Sequence, residues 1–131
     1  MQKNDLICFD LTRSIIGAFY EVYNTLGYGF LEHVYVAALV LELRNRGHEI
    51  EREAAVRVMY KGLELGSQRL DVVVDRQVVV EVKSTETVSR TAGRQVFNYL
   101  RATGLEVGLL LHFGPEPAFR RVSCRSRARS A

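Results

Sequence analysis

A single-domain α/β fold, with a mixed β-sheet flanked by helices, is what this 131-residue chain predicts. Three observations carry that expectation. Residues 69–84, RLDVVVDRQVVVEVKS, set three valines on each side of Asp75-Arg76-Gln77, the pattern of two short strands joined by a tight turn. The segments before and after this hairpin carry apolar residues at helical spacing. Residues 107–113, VGLLLHF, form a continuous apolar run suited to a strand covered on both faces.

Taken in order, residues 5–26 place Leu6, Phe9, Ile15, Ile16, Phe19, Val22 and Leu26 at helical intervals, and Gly27 is a natural stop. After Gly27-Tyr28-Gly29, a second helix is predicted from about Leu31 to Asn45, with Val34, Ala38, Leu41 and Tyr35 on its buried stripe. Residues 50–60 alternate in their second half and read as a strand closed by Lys61-Gly62, followed by a turn through Gly66 and the central hairpin. Helical spacing returns over Val88–Thr103, with Val96, Tyr99 and Leu100 facing inward and Gly104 as the stop. After the apolar strand, Gly114-Pro115-Glu116-Pro117 breaks the run, and Phe119–Cys124 adds an edge strand. The order is α-α-β-β-β-α-β with a final β, helices packed on one mixed sheet.

Composition narrows the class. Hydrophobic residues make up 47% and charged residues 25%, an ordinary globular balance, and no apolar run approaches the ~20 residues of a membrane helix. The N-terminal segment, MQKNDLICFDLTRS, has no signal-peptide pattern, so a cytoplasmic location is expected, with Cys8 and Cys124 as reduced thiols. Two cysteines and three scattered histidines give no zinc-site spacing, so a metal here would need oxygen ligands. Five arginines fall between Arg120 and Arg129; without them 13 basic residues face 15 acidic ones, a net of −2 against +3 for the chain. That divides it into a domain over residues 1–124 and a basic tail over 125–131, suited to phosphate backbones or an acidic partner.

The chemistry concentrates in the hairpin. Asp71, Glu81 and Lys83 interrupt valine strands, where charged groups are costly to bury unless paired, hydrogen-bonded or metal-bound. Asp71 and Glu81 lie ten residues apart across the turn, so they fall close together on neighbouring strands. Two carboxylates on one side form an oxygen site for Mg2+ or Mn2+, able to polarise a phosphoryl oxygen and acidify a bound water. Glu81-Val82-Lys83 is the sole acid-x-Lys tripeptide, where chance predicts about 0.3 in a chain with three lysines. The competing reading is a solvated ion pair at a strand end.

Asp71 followed by Glu81-Val82-Lys83 on the next strand resembles the signature of the PD-(D/E)XK nuclease superfamily. The order α-β-β-β-α-β from the second helix onward is similar to that superfamily's restriction-endonuclease-like core, here with an extra N-terminal helix. Gln95-Val96-Phe97-Asn98-Tyr99 resembles the Q-x-x-x-Y motif on the helix after the E-x-K strand, and Gly29-Phe30-Leu31-Glu32-His33-Val34-Tyr35 matches the G-x-x-E-x-x-Y motif of the GxxExxY family of small bacterial proteins. Tyr60-Lys61-Gly62, Asn98-Tyr99-Leu100 and Phe113-Gly114 extend the likeness over nearly the whole chain. His112 departs from the family pattern, standing where asparagine is usual, as does Gln68, where an aromatic residue often precedes Arg69.

The resemblance implies a role for each matching residue. Asp71, Glu81 and the Val82 carbonyl would bind Mg2+ or Mn2+, and Glu32 would reach the ion directly or through water. Lys83 would position the attacking water, and Gln95 would orient Lys83 or the scissile phosphate. Tyr99, one helical turn beyond Gln95, would contact nucleic acid or brace Gln95, and Tyr35 and Arg69 would contact nucleic acid, Arg69 from the Asp71 face of its strand. The expected activity is hydrolysis of phosphodiester bonds, most readily in DNA. The alternatives are a nuclease-like module that binds nucleic acid or a protein without cutting, and a subunit that acts within a larger complex. Small domains of this type commonly pair, and the edge strand near Phe119 offers an interface for a homodimer or a partner protein.

Overall fold

The computed structural model describes residues 8–125. The expected first turn of the N-terminal helix and the end of the basic tail lie outside the described residues. Within them the chain runs α1 (Phe9–Leu26), α2 (Glu32–Asn45), β1 (Ile50–Tyr60), β2 (Leu63–Val74), β3 (Val78–Lys83), α3 (Ala92–Thr103), β4 (Val107–Phe113) and β5 (Pro117–Ser123). The strands form one sheet in the order β1-β2-β3-β4-β5. Only β3 and β4 pair in parallel, in register from Val78↔Val107 to Lys83↔His112. A parallel pair needs a crossover, and α3 is that connection.

The sheet is covered on both sides, as the all-valine hairpin requires. On one face α1 and α2 bury Phe19, Tyr35, Leu39 and Leu43 against Val72, Val80, Val82, Leu111 and Phe113. Phe113 is the centre of that layer, with Tyr35 stacked on it at 4.2 Å between ring centroids and Phe19 edge-on at 4.8 Å. On the other face Leu100 of α3 packs with Val73, Val79, Leu70 and Val56. Close approach of α3 to the sheet depends on Gly108, where a Cβ would meet Val96 Cγ1 at 2.5 Å.

Four features differ from the periodicity. Tyr35, Val36, Leu39, Val40 and Leu43 form the buried face of α2, while Leu41 is 63% exposed. Apolar residues occupy nearly every side of this helix, so spacing alone does not select a face. The chain does not turn at Gly66, which lies inside β2 opposite Val58, beside a register shift at Val58/Met59. Reversal occurs at Lys61-Gly62, both with positive φ (50° and 81°), matched to the twist of the strands they join. Helix α3 starts at Ala92, four residues later than its spacing suggests, because residues 84–91 form a loop. Finally, side-chain alternation breaks at one place. Val72 and Val74 pack under α1 and α2, yet Leu70 packs under α3; across the ladder Ile50 and Ala54 divide the same way. The switch lies at Asp71 and Glu53, the latter with φ 52°.

The far end of the sheet is closed by a hydrogen-bonded relay. Ser14 Oγ lies 2.8 Å from His48 Nε2, His48 Nδ1 lies 2.8 Å from Asp75 Oδ2, and the Glu49 N–H donates to Asp75 Oδ1 at 2.7 Å. It ties α1 and the α2–β1 loop to the hairpin turn, where Asp75 and Arg76 both hold positive φ. Burial pushes the Asp75 carboxyl up, but the hydrogen bonds from His48 and Glu49 outweigh it and leave the group below its ordinary value. A carboxyl so depressed contributes stability above its ordinary range and loses it as pH falls through the lowered value. Asp75→Asn is therefore expected to lower stability at pH 7 by about 1–2 kcal/mol and to flatten the acid limb of a stability profile below roughly pH 4, measured by urea melts.

Candidate active site

The ladder between β2 and β3 is short, pairing only Val72↔Val80, Val73↔Val79 and Val74↔Val78. Beyond it β2 parts from β3 and continues with β1 alone as a two-stranded ribbon. Asp71 and Glu81 are the next opposed pair, so they stand where the ladder opens. Backbone donors freed there need new acceptors. The two carboxylates supply them: the Asp71 N–H donates to Glu81 Oε1 at 3.3 Å, and the Val82 N–H donates to Asp71 Oδ2 at 2.8 Å. Each side chain is thus held by the backbone of the opposite strand.

Burial sets the electrostatics. Glu81 is 7% exposed, and its carboxyl is pushed up to about 7, first by burial and then by the charge of Asp71, against the Asp71 N–H and Lys83. Asp71 is raised for the same first reason, opposed by the Val82 N–H and Lys83, while nearby Glu53 adds to the rise. Lys83 follows Glu81 by one pleat at the half-buried end of β3. Its charge acts on Asp71, Glu81 and Glu32 alike.

Glu32 is the first residue of α2 and reaches this group from the α1–α2 loop. Its carboxyl is raised by burial and then by the Asp71 charge. The loop is shaped by Gly29, at φ 112°, and is clamped by Tyr35. The Tyr35 hydroxyl donates to the Gly27 carbonyl at 2.6 Å and accepts from the Phe30 N–H at 3.1 Å. G-x-x-E-x-x-Y thereby gains a physical meaning: glycine for the turn, glutamate for the site, tyrosine to hold the loop that presents it. Tyr35 itself is fully buried, so the expected contact with nucleic acid is corrected to a brace inside the core.

Of the other sequence-selected residues, Tyr99 is brought within electrostatic reach of the pair. Tyr99 on α3 has its phenol raised by burial and then by the charges of Glu81 and Asp71, and its hydroxyl donates to Gln68 Oε1 at 3.4 Å. Gln95, one turn earlier, is exposed and borders a cleft of about 1160 Å3 that Tyr99 also lines. Arg69 is exposed and donates through Nη1 to the Glu53 carbonyl at 3.4 Å. The side switch at Asp71 removes the alternation argument for a shared face. Two further neighbours complete the surroundings, Glu53, which sequence reasoning missed, and His112, which it marked only as a departure from the family pattern. Glu53 faces Asp71 between the pairs Arg52↔Val72 and Ala54↔Leu70, and only the β1–β2 register could have revealed it. His112 is in register with Lys83 and its Nε2 lies 2.6 Å from the Thr85 carbonyl, tying β4 to the loop after the E-x-K strand.

Among the described residues no three His, Cys, Asp or Glu side chains are close enough to form a metal cluster. The donors that do converge are the two carboxylates, Asp71 and Glu81. An oxygen-only pair of this kind fits Mg2+ or Mn2+, since Mg2+ is commonly held by one or two carboxylates, with waters and substrate phosphate completing its shell.

The family model of the PD-(D/E)XK nuclease superfamily matches residues 9–122, and the chain belongs to that superfamily. No curated protein matches the sequence. Among solved structures, "Crystal structure of SSO0001" superposes with a TM-score of 0.57 at 16% identity, covering 98% of this chain and 64% of that one. That likeness shows the fold alone, and this chain spans less than two thirds of that protein's length. An alkaline exonuclease from Laribacter hongkongensis aligns at TM-score 0.46 and 11% identity, over 86% of this chain and 78% of its own. No helix among the described residues is long and apolar enough to cross a membrane.

Two outcomes follow from this geometry. Tyr35→Phe leaves the Gly27 carbonyl and Phe30 N–H without their partner, and is expected to lower stability by about 1–3 kcal/mol in denaturant melts. The raised Glu81 carboxyl favours the fold below the ordinary carboxylate value and loses that contribution as pH rises through about 7. Ionised Glu81 thus costs up to about 3 kcal/mol at pH 8 in metal-free protein. Glu81→Gln should raise the metal-free Tm at pH 8 and leave it nearly unchanged at pH 5, as read by scanning calorimetry.

Proposed function

We propose that this chain is a metal-dependent nuclease that hydrolyses phosphodiester bonds, with DNA as its substrate. The observation that carries the reading is the carboxylate pair of half-buried Asp71 and buried Glu81, both raised first by burial, with Lys83 one pleat away. Such a pair is costly in an apolar sheet and becomes favourable beside a divalent cation. A bound Mg2+ or Mn2+ supplies charge neutralisation on the phosphoryl oxygen and lowers the pKa of a coordinated water.

Asp71, Glu81 and the Val82 carbonyl are assigned to hold the ion, with Glu32 completing the set through water. Lys83 donates a hydrogen bond to the attacking water and offsets negative charge developing on the phosphate. Gln95 orients Lys83 or the scissile phosphate, and Tyr99 braces it from the next turn of α3. Arg69 offers a guanidinium to a neighbouring phosphate. A nuclease-fold module that binds without cutting is the second reading. It is favoured by the Val82 N–H already occupying Asp71 Oδ2 and by the lack of a third close carboxylate among the described residues.

The two readings separate in one titration. Mg2+ or Mn2+ is added to wild type, Asp71→Ala and Lys83→Ala, with calorimetry for metal binding and a panel of DNA and RNA for cleavage. The nuclease reading expects cleavage by wild type, lost by at least about 100-fold in both variants, and metal binding lost in Asp71→Ala but kept in Lys83→Ala. Wild type that neither binds metal nor cuts any member of the panel leaves the binding module.

A further inference from the structure

The cleft beside α3 has a lining that the carboxylate site does not account for. Its walls are the outer part of β1, the exposed side of α3 and the chain after β5, and it opens a volume of about 1160 Å3. Three arginines line it, Arg57, Arg101 and Arg125, one from each wall, and no aspartate or glutamate does. Arg57 pairs with Glu64 at 3.7 Å, but both side chains are at least half exposed, so water weakens that pair. The helix wall itself contains no acid, while Arg94 and Arg101 lie along it.

The rest of the lining is apolar or uncharged. Phe97 and Tyr99 contribute rings from α3, Met59, itself 51% exposed, lines the cleft from β1, and Gln95 and Asn98 add amides. The Arg94 guanidinium sits over the Phe97 ring at 4.8 Å, so this aromatic already accepts a planar cationic group on its face. Phosphates alone would call for cations on a polar surface. Unpaired bases present flat apolar faces as well, and proteins that hold single strands combine a cationic groove with aromatic platforms. In a duplex those faces are stacked on each other and unavailable to the protein.

From this combination we infer that the α3–β1 cleft is a binding groove for a single-stranded stretch of nucleic acid, leading to the carboxylates. Gln95 and Tyr99 belong to both the groove and the candidate active site, so a strand lying in one passes directly to the other. The inference rests on the nuclease reading for its direction, not for its existence: strand binding in the groove needs neither metal nor cleavage. Arg57, Arg101 and Arg125 take the backbone phosphates, and Phe97, with Met59 in the same lining, takes the bases. The ribbon formed by β1 and β2 serves as the outer wall, where Val58 and Met59 of β1 are exposed.

The test measures binding and cutting separately. Full-length protein in EDTA is titrated into a fluorescent oligothymidylate of about 20 nucleotides and into a duplex of equal length, followed by anisotropy at two salt concentrations. Binding at least about tenfold tighter to the single strand is expected. Arg101→Glu with Arg125→Glu should weaken it by about tenfold or more and flatten its salt dependence. Phe97→Leu should weaken the single-strand complex and leave weak duplex binding unchanged. Thermal melts and calorimetric Mg2+ binding check that the variants remain folded with an intact carboxylate site. Equal affinity for duplex and single strand, or a folded charge-reversal variant that binds like wild type, overturns the groove. If single strands bind in this way but nothing is cut with metal present, the groove stands and the nuclease reading fails; if DNA is cut and the variants bind like wild type, the reverse holds.

Discussion

The exchange between two carboxylates and two backbone N–H groups at the mouth of the β2–β3 hairpin is the constraint on which the rest of the molecule depends. A sheet cannot open its ladder inside a buried region without leaving donors unpaired. Here Asp71 and Glu81 fill that need from opposite strands, and the same hydrogen bonds fix their position. The opening lets β2 leave the core and run on with β1 as a ribbon, and it concentrates negative charge at one point. The fold and the site are therefore one problem with one solution. Without the divergence there would be no pocket of carboxylates, and without the carboxylates the divergence would strand polar groups.

Everything else positions partners around that point. The parallel β3–β4 pair forces a crossover, and the crossover brings α3, with Gln95 and Tyr99, over the face of the sheet beside Glu81. Gly108 permits the close approach of that helix. On the other side, Phe113 anchors Tyr35, and Tyr35 anchors the loop that delivers Glu32. The chain from the central aromatic of the core to a candidate ligand is only three contacts long. This is why motif residues with no chemical role of their own still matter for the site. At the opposite end, the Ser14–His48–Asp75 relay fastens the hairpin turn, so the strands are pinned at one end and splayed at the other.

Electrostatically the molecule is divided. A slightly acidic body surrounds a site of raised carboxyls, whereas the cleft next to it is lined by arginine, amide, aromatic and aliphatic residues and by no aspartate or glutamate. A polyanion approaching the carboxylates would be repelled in the absence of a cation, and the cleft supplies an adjacent surface where it is not. Membership of the nuclease superfamily and a nuclease-like fold are established by the family match and the topology. The ion, the substrate and the groove are readings of the side chains that this fold brings together.

The amino-acid sequence by itself determined the element order, the hairpin with its turn at Asp75–Gln77, and the association of Asp71, Glu81 and Lys83. These depend on local patterns: β-branched runs, helical spacing, glycine stops and a two-residue strand period, all of which act within a few positions along the chain. It also marked Glu32, Gln95 and Tyr99, though through motifs and not through spacing. Tertiary structure decided which face of α2 is buried, because a helix apolar on almost every side has no preferred stripe until the sheet selects one. It turned Tyr35 from a ligand contact into a brace, since only the packed Phe113 ring shows that the tyrosine is enclosed. It placed Glu53 opposite Asp71 and reversed the strand faces there, because a break in alternation comes from the pairing of two strands and leaves no mark on either alone. The cleft, too, exists only in three dimensions: Arg57, Arg101 and Arg125 are 44 and 24 residues apart in sequence, on β1, on α3 and after β5, and they line one cleft because α3 packs across the sheet against both β1 and β5.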